Sequence, residues 1–247
     1  MSVKEEKQNI RESIWKLLEE RRIARFPLPI RNRIPNFKGS EKAAMRVISH
    51  PVFKGAEVIF SCPDSPQRLI REYVLRYGKI LIMATPRLRE GFLVLSPELI
   101  PRGKEREAST IRGAFKYGKR ISWVNLEIDL KVAGSVAVTI RGARLGKGGG
   151  YSDLEYAILR EMGSIKDGTP IITTVHDLQI VDYIPLEEHD VPLDYIFTPT
   201  RVININNPIK GKPKGLIPEI LDKEKLESIP VLKDVLASKN MLKYFSE

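Results

Sequence analysis

Cysteine is almost missing from this sequence: Cys62 is the only one in 247 residues, so no disulfide can close within the chain. A lone thiol after the apolar pair Ile59 and Phe60 reads as an inert core group, and its isolation fits a reducing compartment. Long apolar runs are missing as well. The uncharged stretch Val132 to Ile140 is far too short to cross a bilayer, and the N-terminus is charged from Lys4 onward with no apolar signal core. The expectation is a cytoplasmic protein without membrane contact. Glutamine is confined to Gln8, Gln67 and Gln179, while Lys, Arg, Glu and Ile are plentiful, a surface chemistry resembling that of heat-adapted proteins. There is no internal repeat and no low-complexity block.

What is present is an ordinary globular balance, with 42% hydrophobic and 29% charged residues, which favours folding without a partner. The length suits one large α/β domain or two small ones. The net charge of +10 points to an anionic partner, either nucleic acid or a small ligand such as a nucleotide.

Apolar spacing predicts a helix over residues 3–22, with Ile10, Ile14, Trp15, Leu17 and Leu18 on one side and Lys7, Arg11 and Lys16 on others. Pro27 and Pro29 end it, a basic connector follows, and Ser40 reads as the N-cap of a short helix to Ile48. An alternating pattern then begins: a strand over Glu57 to Ser61, a helix over Ser65 to Tyr77 and a strand over Lys79 to Ala84. Elements of these lengths imply a right-handed parallel crossover. The basic, Gly- and Pro-rich segment Thr85 to Arg120 reads as an excursion beside the sheet. Regular alternation returns with a strand over Lys131 to Ile140, a helix over Asp153 to Met162, and strands over Pro170 to Val175 and Tyr195 to Thr198. The expected arrangement is a single domain over 1–206, followed by a basic tail over 207–247 whose short helices, near Glu219 to Leu226 and Val231 to Leu236, pack on it.

Arg141 through Glu155 joins a buried strand to an amphipathic helix through Gly146, Gly148, Gly149 and Gly150. Backbone without Cβ atoms lets an anion come close, and the first amides of the next helix lack intrahelical partners and lie at the positive end of its dipole. Arg144 and Lys147 add positive charge. Ser152 and Glu155 have capping-box spacing, which would start the helix there. Asp153 next to a bound triphosphate would need a cation between them, which makes it the candidate ligand for Mg2+. The spacing is neither that of the Walker loop nor that of the dinucleotide fingerprint, and a flexible glycine hairpin before a helix fits the same residues.

Arg144-Leu-Gly-Lys-Gly-Gly-Gly-Tyr-Ser-Asp153 resembles the signature of the 5-formyltetrahydrofolate cyclo-ligase (methenyltetrahydrofolate synthetase) family, Arg-Leu-Gly-basic-Gly-x-Gly-Tyr-Tyr-Asp. The chain is most similar to the subgroup of methenyltetrahydrofolate synthetase domain-containing proteins, through Ile34-Pro-Asn-Phe-Lys-Gly39, Gly134-Ser-Val-Ala-Val138, Gly150-Tyr-Ser-Asp-Leu-Glu-Tyr156, Val175-His-Asp-Leu-Gln179, Glu188-His-Asp190 and Thr198-Pro-Thr-Arg201. The resemblance implies an α/β, Rossmann-like, mostly parallel sheet flanked by helices, akin to ribose-phosphate isomerase and CoA-transferase folds. It also implies ATP and Mg2+ as cofactors and a reduced folate as substrate. In the family, ATP phosphorylates the formyl oxygen of 5-formyltetrahydrofolate and N10 then displaces the phosphate to give 5,10-methenyltetrahydrofolate.

The residues matching the family's ATP-phosphate site are Lys7, Arg11, Arg144, Gly146, Lys147, Gly148, Gly149, Gly150 and Tyr151. Tyr151, His176, Asp177 and Gln179 are candidates for the substrate site, the last three because they follow an apolar strand at its carboxyl end. His189, Asp190 and Asp194 rank lower, with Asp190 read as capping a turn. Ser152 replaces the family's second tyrosine, and Pro101 to Arg120 holds no match for the acidic, proline-flanked segment that helps bind folate.

Two other readings stand beside this one. A nucleic-acid module would use Arg21, Arg22, Arg25, Arg31, Arg33 and Lys38, and a second basic cluster from Arg102 to Arg120, with Phe37, Phe115, Tyr117 and Trp123 as stacking faces. The interleaved Glu105 and Glu107 favour a solvated surface there instead. An isomerase or acyl-CoA transferase would share the fold, although no clear catalytic glutamate marks a transferase.

Overall fold

The computed structural model describes residues 1–241, so residues 242–247 of the expected tail lie outside the described residues. Helix α1 (Val3–Glu20) starts at a closed capping box, in which the Ser2 hydroxyl accepts from the Glu5 N–H and the Glu5 carboxylate accepts from the Ser2 N–H. Its buried residues are Lys7, Arg11, Ile14, Trp15 and Leu18, a single helical stripe. The basic pair therefore shares the face of the apolar residues instead of projecting from another.

Strands β1 (Ala24–Arg25) and β2 (Asn36–Phe37) form a small ribbon, followed by helices α2 (Ser40–Ser49) and α3 (Pro51–Lys54). Gly39, in the left-handed region at φ +91°, caps α2, and Ser40 is its first residue instead of its cap. Next come β3 (Val58–Ser61), α4 (Arg68–Arg76) and β4 (Ile80–Ala84), the expected parallel crossover. The chain continues through β5 (Phe92–Leu95), α5 (Glu105–Ala108), α6 (Ile111–Tyr117) and β6 (Lys119–Ile121). It goes on through β7 (Leu130–Ala133), β8 (Ala137–Val138), β9 (Arg144–Leu145), α7 (Tyr151–Glu161) and β10 (Ile171–Thr174), and closes with β11 (Tyr195–Phe197), β12 (Val202–Asn204), α8 (Lys223–Ser228) and α9 (Pro230–Ser238).

Eight strands form the main sheet in the order β12-β11-β10-β7-β3-β4-β5-β6. The strands from β11 to β4 are parallel; β12 at one edge pairs antiparallel with β11, and at the other β5 pairs antiparallel with both β4 and β6. The fold is the Rossmann-like, mostly parallel α/β sheet that the resemblance implies. Thr85 to Arg120 does not lie beside the sheet: Phe92–Leu95 and Lys119–Ile121 complete it as its last two strands. Nor is Lys131 to Ile140 one strand. The chain leaves the sheet after Ala133, and Ala137–Val138 pairs with Arg144–Leu145 in a separate ribbon. Both parts are buried, so hydrophobicity runs unbroken through the bend.

Neighbouring strand residues pack on opposite faces, as the two-residue period requires. Phe60, Ile82, Ala133, Ile171 and Ile196 face the side of α7, where Ile229, Val231, Leu232, Val235 and Leu236 of the tail join the same apolar cluster. Ile59, Leu81, Val132, Ile172 and Phe197 face Ala44, Val47, Ile70 and Val74 of α2 and α4. A third cluster clamps Ile14, Trp15 and Leu18 of α1 against Val136, Ala137, Ala143 and Leu145 of the β8–β9 ribbon. That clamp sets the basic stripe of α1 beside the loop that follows β9.

Candidate active site

Crossovers leave the sheet in opposite directions on the two sides of the β3–β7 pair, since β3 leads through α4 to β4 while β7 leads through α7 to β10. Such a switch point opens a crevice at the carboxyl ends of the strands. Here it is lined by Cys62, Pro63 and Asp64 after β3, Thr85 after β4 and Gly134 after β7. Gly134 forms its floor: a Cβ there would lie 2.9 Å from both Asp64 Oδ2 and Ile34 Cγ1.

The glycine loop divides this region into two clefts. The larger, about 570 Å³, is lined by Arg33, Ile34, Asp64, Arg87, Ile111, Lys147, Tyr151, Ser152 and Glu155 among others. The second, about 520 Å³, lies toward α1 and is lined by Lys4, Lys7, Arg11, Gly148, Glu187, Asp190 and Lys225. Both contain Arg144, Gly146, Gly149, Gly150 and Asp153, so the loop is their common wall.

Gly150 caps α7 in the left-handed region, at φ +67°, with no side-chain cap. The helix thus starts at Tyr151, and Ser152 lies inside its first turn; the Ser152–Glu155 capping box does not form. The consequence favours a ligand. The N–H groups of residues 146–153 have no acceptor among the described residues. They border concave clefts that side chains leave open.

The cations around the loop differ in their surroundings. Arg144 is buried, with Nη1 donating to Gly134 O at 3.1 Å and Nη2 donating to Asp153 Oδ1. Asp153 Oδ1 also accepts from the Val191 N–H at 3.1 Å. Burial works against ionisation of Asp153, but the charge and hydrogen bond of Arg144 outweigh it and hold the carboxyl below its ordinary value. Lys7 Nζ donates to Glu187 Oε2 at 2.7 Å and Asp190 Oδ2 at 2.6 Å. Arg11 Nε donates to Gly146 O at 2.8 Å, tying α1 to the loop, while burial pulls its guanidinium below the ordinary value.

Lys147 turns the other way, to Asp64 Oδ1 at 3.0 Å, and with Tyr151 it lines the larger cleft, not the one beside Lys7. The Cys62 thiol, pushed up to about 12 by burial, is the inert group expected.

His176, Asp177 and Gln179 line neither cleft. His176 Nδ1 accepts from the Leu178 N–H, Asp177 Oδ1 accepts from the Thr198 and Thr200 hydroxyls, and buried Gln179 donates to Ser135 O and Val136 O. Gln179 thus ties the turn after β10 to the bend after β7, Asp177 ties it to the turn after β11, and His176 caps it. Within the expected basic surface clusters, Arg31 pairs with Glu12, Lys104 and Lys116 with Glu107, and Arg120 with Glu90. Phe37 is buried and offers no stacking face. No helix among the described residues is long and apolar enough to cross a membrane.

Lys131 and Glu155 form a buried pair beneath the larger cleft. Lys131 Nζ is 3.3 Å from Ser152 Oγ, 4.0 Å from Glu155 Oε2 and 4.7 Å above the Phe60 ring centroid. Glu155 Oε2 has no hydrogen-bond partner among the described residues, and burial pushes the carboxyl up to about 7. A folded-state value raised from 4.5 means that the native state keeps a proton the unfolded chain has lost, so this group's contribution to stability falls as pH rises from 4.5 through 7. Glu155→Gln removes that slope. Thermal melts at pH 5 and pH 8 are expected to show the variant gaining on the wild type by on the order of 2 kcal/mol at the higher pH. A pH-independent difference would refute the assignment.

Sequence reasoning left out Glu187, Asp64, Lys131 and Lys225, and took Glu155 only for a helix cap. Lys131 carried a signal, as the one charge in an otherwise apolar strand; Glu187 meets Lys7 across a separation of 180 residues, which local pattern does not reveal.

Residues 3–199 match the model of the 5-formyltetrahydrofolate cyclo-ligase family. Over 235 residues the chain is 42% identical to the methenyltetrahydrofolate synthase domain-containing protein of Bos taurus, and 43% to that of Mus musculus. These alignments take in 93% of this chain but 61% and 63% of the relatives, so the chain spans about three fifths of their length. The NMR structure of Aquifex aeolicus 5,10-methenyltetrahydrofolate synthetase superposes with a TM-score of 0.50 at 21% identity, covering 83% of this chain and 95% of that one, a likeness of fold. The glycine loop bearing the signature forms the shared wall of two clefts at the switch point, and the family model extends over most of the chain around it: the chain belongs to the 5-formyltetrahydrofolate cyclo-ligase family.

Proposed function

We propose that this chain is an ATP- and Mg2+-dependent cyclo-ligase acting on 5-formyltetrahydrofolate or a related reduced pterin. One observation carries the reading: unpaired amides of residues 146–153 border a cleft with Lys7 and Arg11 on one side of the loop, and a larger cleft opens on the other. The first suits a polyphosphate, because amides and a helix N-terminus offer donors already in place. The second joins apolar walls at Ile34, Pro86 and Ile111 to Arg33 and Arg87, a setting for a flat ring system with a carboxylate tail.

Because both clefts include Gly149 and Gly150, a terminal phosphoryl group held at the loop amides is within reach of a formyl oxygen in the larger cleft. That oxygen attacks phosphorus and ADP departs. N10 of the folate then attacks the activated carbon, loses its proton, and inorganic phosphate leaves. Asp64 and Glu155 line the larger cleft as proton acceptors. No group of three His, Cys, Asp or Glu residues able to hold a metal occurs among the described residues. The donor set therefore fits a cation that takes most of its ligands from phosphate and water, as Mg2+ does, with Asp153 and Asp190 as the protein's share. Bound there, Mg2+ would neutralise charge on the transferring phosphoryl group.

The test is absorbance. Wild-type protein with 5-formyltetrahydrofolate, ATP and Mg2+ is expected to develop the methenyl chromophore, and to stay colourless without ATP or with EDTA. ATP binding with no chromophore would sink the folate assignment, and Ser152 would then mark where the substrate changed.

A further inference from the structure

The family model ends at residue 199, yet residues of the tail reach the loop. Lys225 lines the cleft of Lys7 and Arg11. Its Nζ lies 3.2 Å from where a Cβ on Gly150 would stand and 5.7 Å from the centroid of the Tyr151 ring. Lys7, Arg144 and Lys147 each meet a carboxylate, whereas Lys225 has no acidic partner among the described residues. The same lysine borders a small pocket of about 150 Å³ whose apolar lining comes from Leu154 and Ala157 of α7 and from Leu216, Ile217, Ile220 and Leu221 of the tail. This pocket and the cationic cleft have Gly150, Asp153, His189 and Lys225 in common, so they adjoin.

We propose that residues 215–225 of the tail form the nucleoside side of the ATP site, with Lys225 as a further phosphate-binding cation and the apolar pocket as the seat of the purine base. The assignment rests on the nucleotide reading given above and extends it. A flat, largely apolar base joined to a charged chain is the ligand that matches an apolar pocket adjoining a cationic cleft. The tail is held in place for this: Leu216 N–H donates to Glu161 Oε1 at 3.0 Å, and Ile229, Leu232 and Leu236 are buried against the cluster of α7. Lys225 sits above the free amides of the loop, where a phosphate can accept from both.

Calorimetry on the full chain with Mg2+ separates the parts, using ATP and inorganic tripolyphosphate as probes. Lys225→Gln is expected to weaken both about tenfold, the worth of one charge-assisted contact, while Lys225→Arg keeps both. Ile220→Asp, at a half-exposed position the fold does not depend on, is expected to weaken ATP about tenfold and to leave tripolyphosphate unchanged. Unchanged ATP affinity in both Lys225→Gln and Ile220→Asp, with wild type binding ATP, overturns the role of the tail and leaves the nucleotide site standing. Wild type binding neither probe overturns the site and the tail's role together.

Discussion

Arg144→Met is expected to lower the thermal unfolding midpoint by about 10 °C, and Asp153→Leu added to it to restore most of that loss. Arg144 and Asp153 have 3% and 11% of their side chains exposed, so removing one charge strands the other away from water. Breaking a buried pair in this way costs about 3–5 kcal/mol, and in a domain of this size each kcal/mol moves the midpoint by about 2–4 °C. An apolar pair of similar volume avoids the stranded charge and regains packing. Scanning calorimetry of both single variants and the double variant measures the coupling. A midpoint for Arg144→Met within about 2 °C of wild type would show that the pair is hydrated and does not brace the loop.

Lys7→Gln should reduce MgATP affinity about a hundredfold with the fold intact. One charge-assisted contact to phosphate accounts for about 1.5–3 kcal/mol, or roughly ten- to a hundredfold. The upper end applies because Glu187 and Asp190, which Lys7 now neutralises, would face the incoming phosphates bare. Calorimetric titration reads the affinity and circular dichroism checks the fold. If the variant bound MgATP as wild type does, the cleft beside α1 would not be where the phosphates lie. The same substitution leaves the larger cleft untouched, so a folate probe should bind as before.

The strongest local patterns were the most legible. The parallel crossover of β3, α4 and β4 shows in its periodicity, and the glycine loop shows in its composition and in the family's signature. Elements whose surroundings decide their form were harder to read. Phe92–Leu95 looks like a short apolar interlude because it is only four residues long, and its partners in β4 and β6 are what make it a strand. The bend after Ala133 is hidden by burial on both sides, and only the ribbon with Arg144–Leu145 gives it away. Gly150 caps α7 where Ser152 has the better side chain, because the left-handed turn leaves the amides outward. At the site, Lys7 and Arg11 could have been placed from the repeat that runs on through Ile14, Trp15 and Leu18, since one buried stripe includes all five. His176 and Gln179, chosen for their chemistry and position, bond within the turn and to the bend after β7, because a polar residue after a strand satisfies a turn as readily as a ligand.

The partition between the clefts is the glycine loop itself, bare of side-chain bulk at Gly146, Gly149 and Gly150. A wall this bare transmits: whatever stills it from one side presents a stilled surface to the other. Thermodynamic reciprocity then requires each occupant to change the other's affinity by the same factor, so nucleotide and pterin would be read by this protein as a pair.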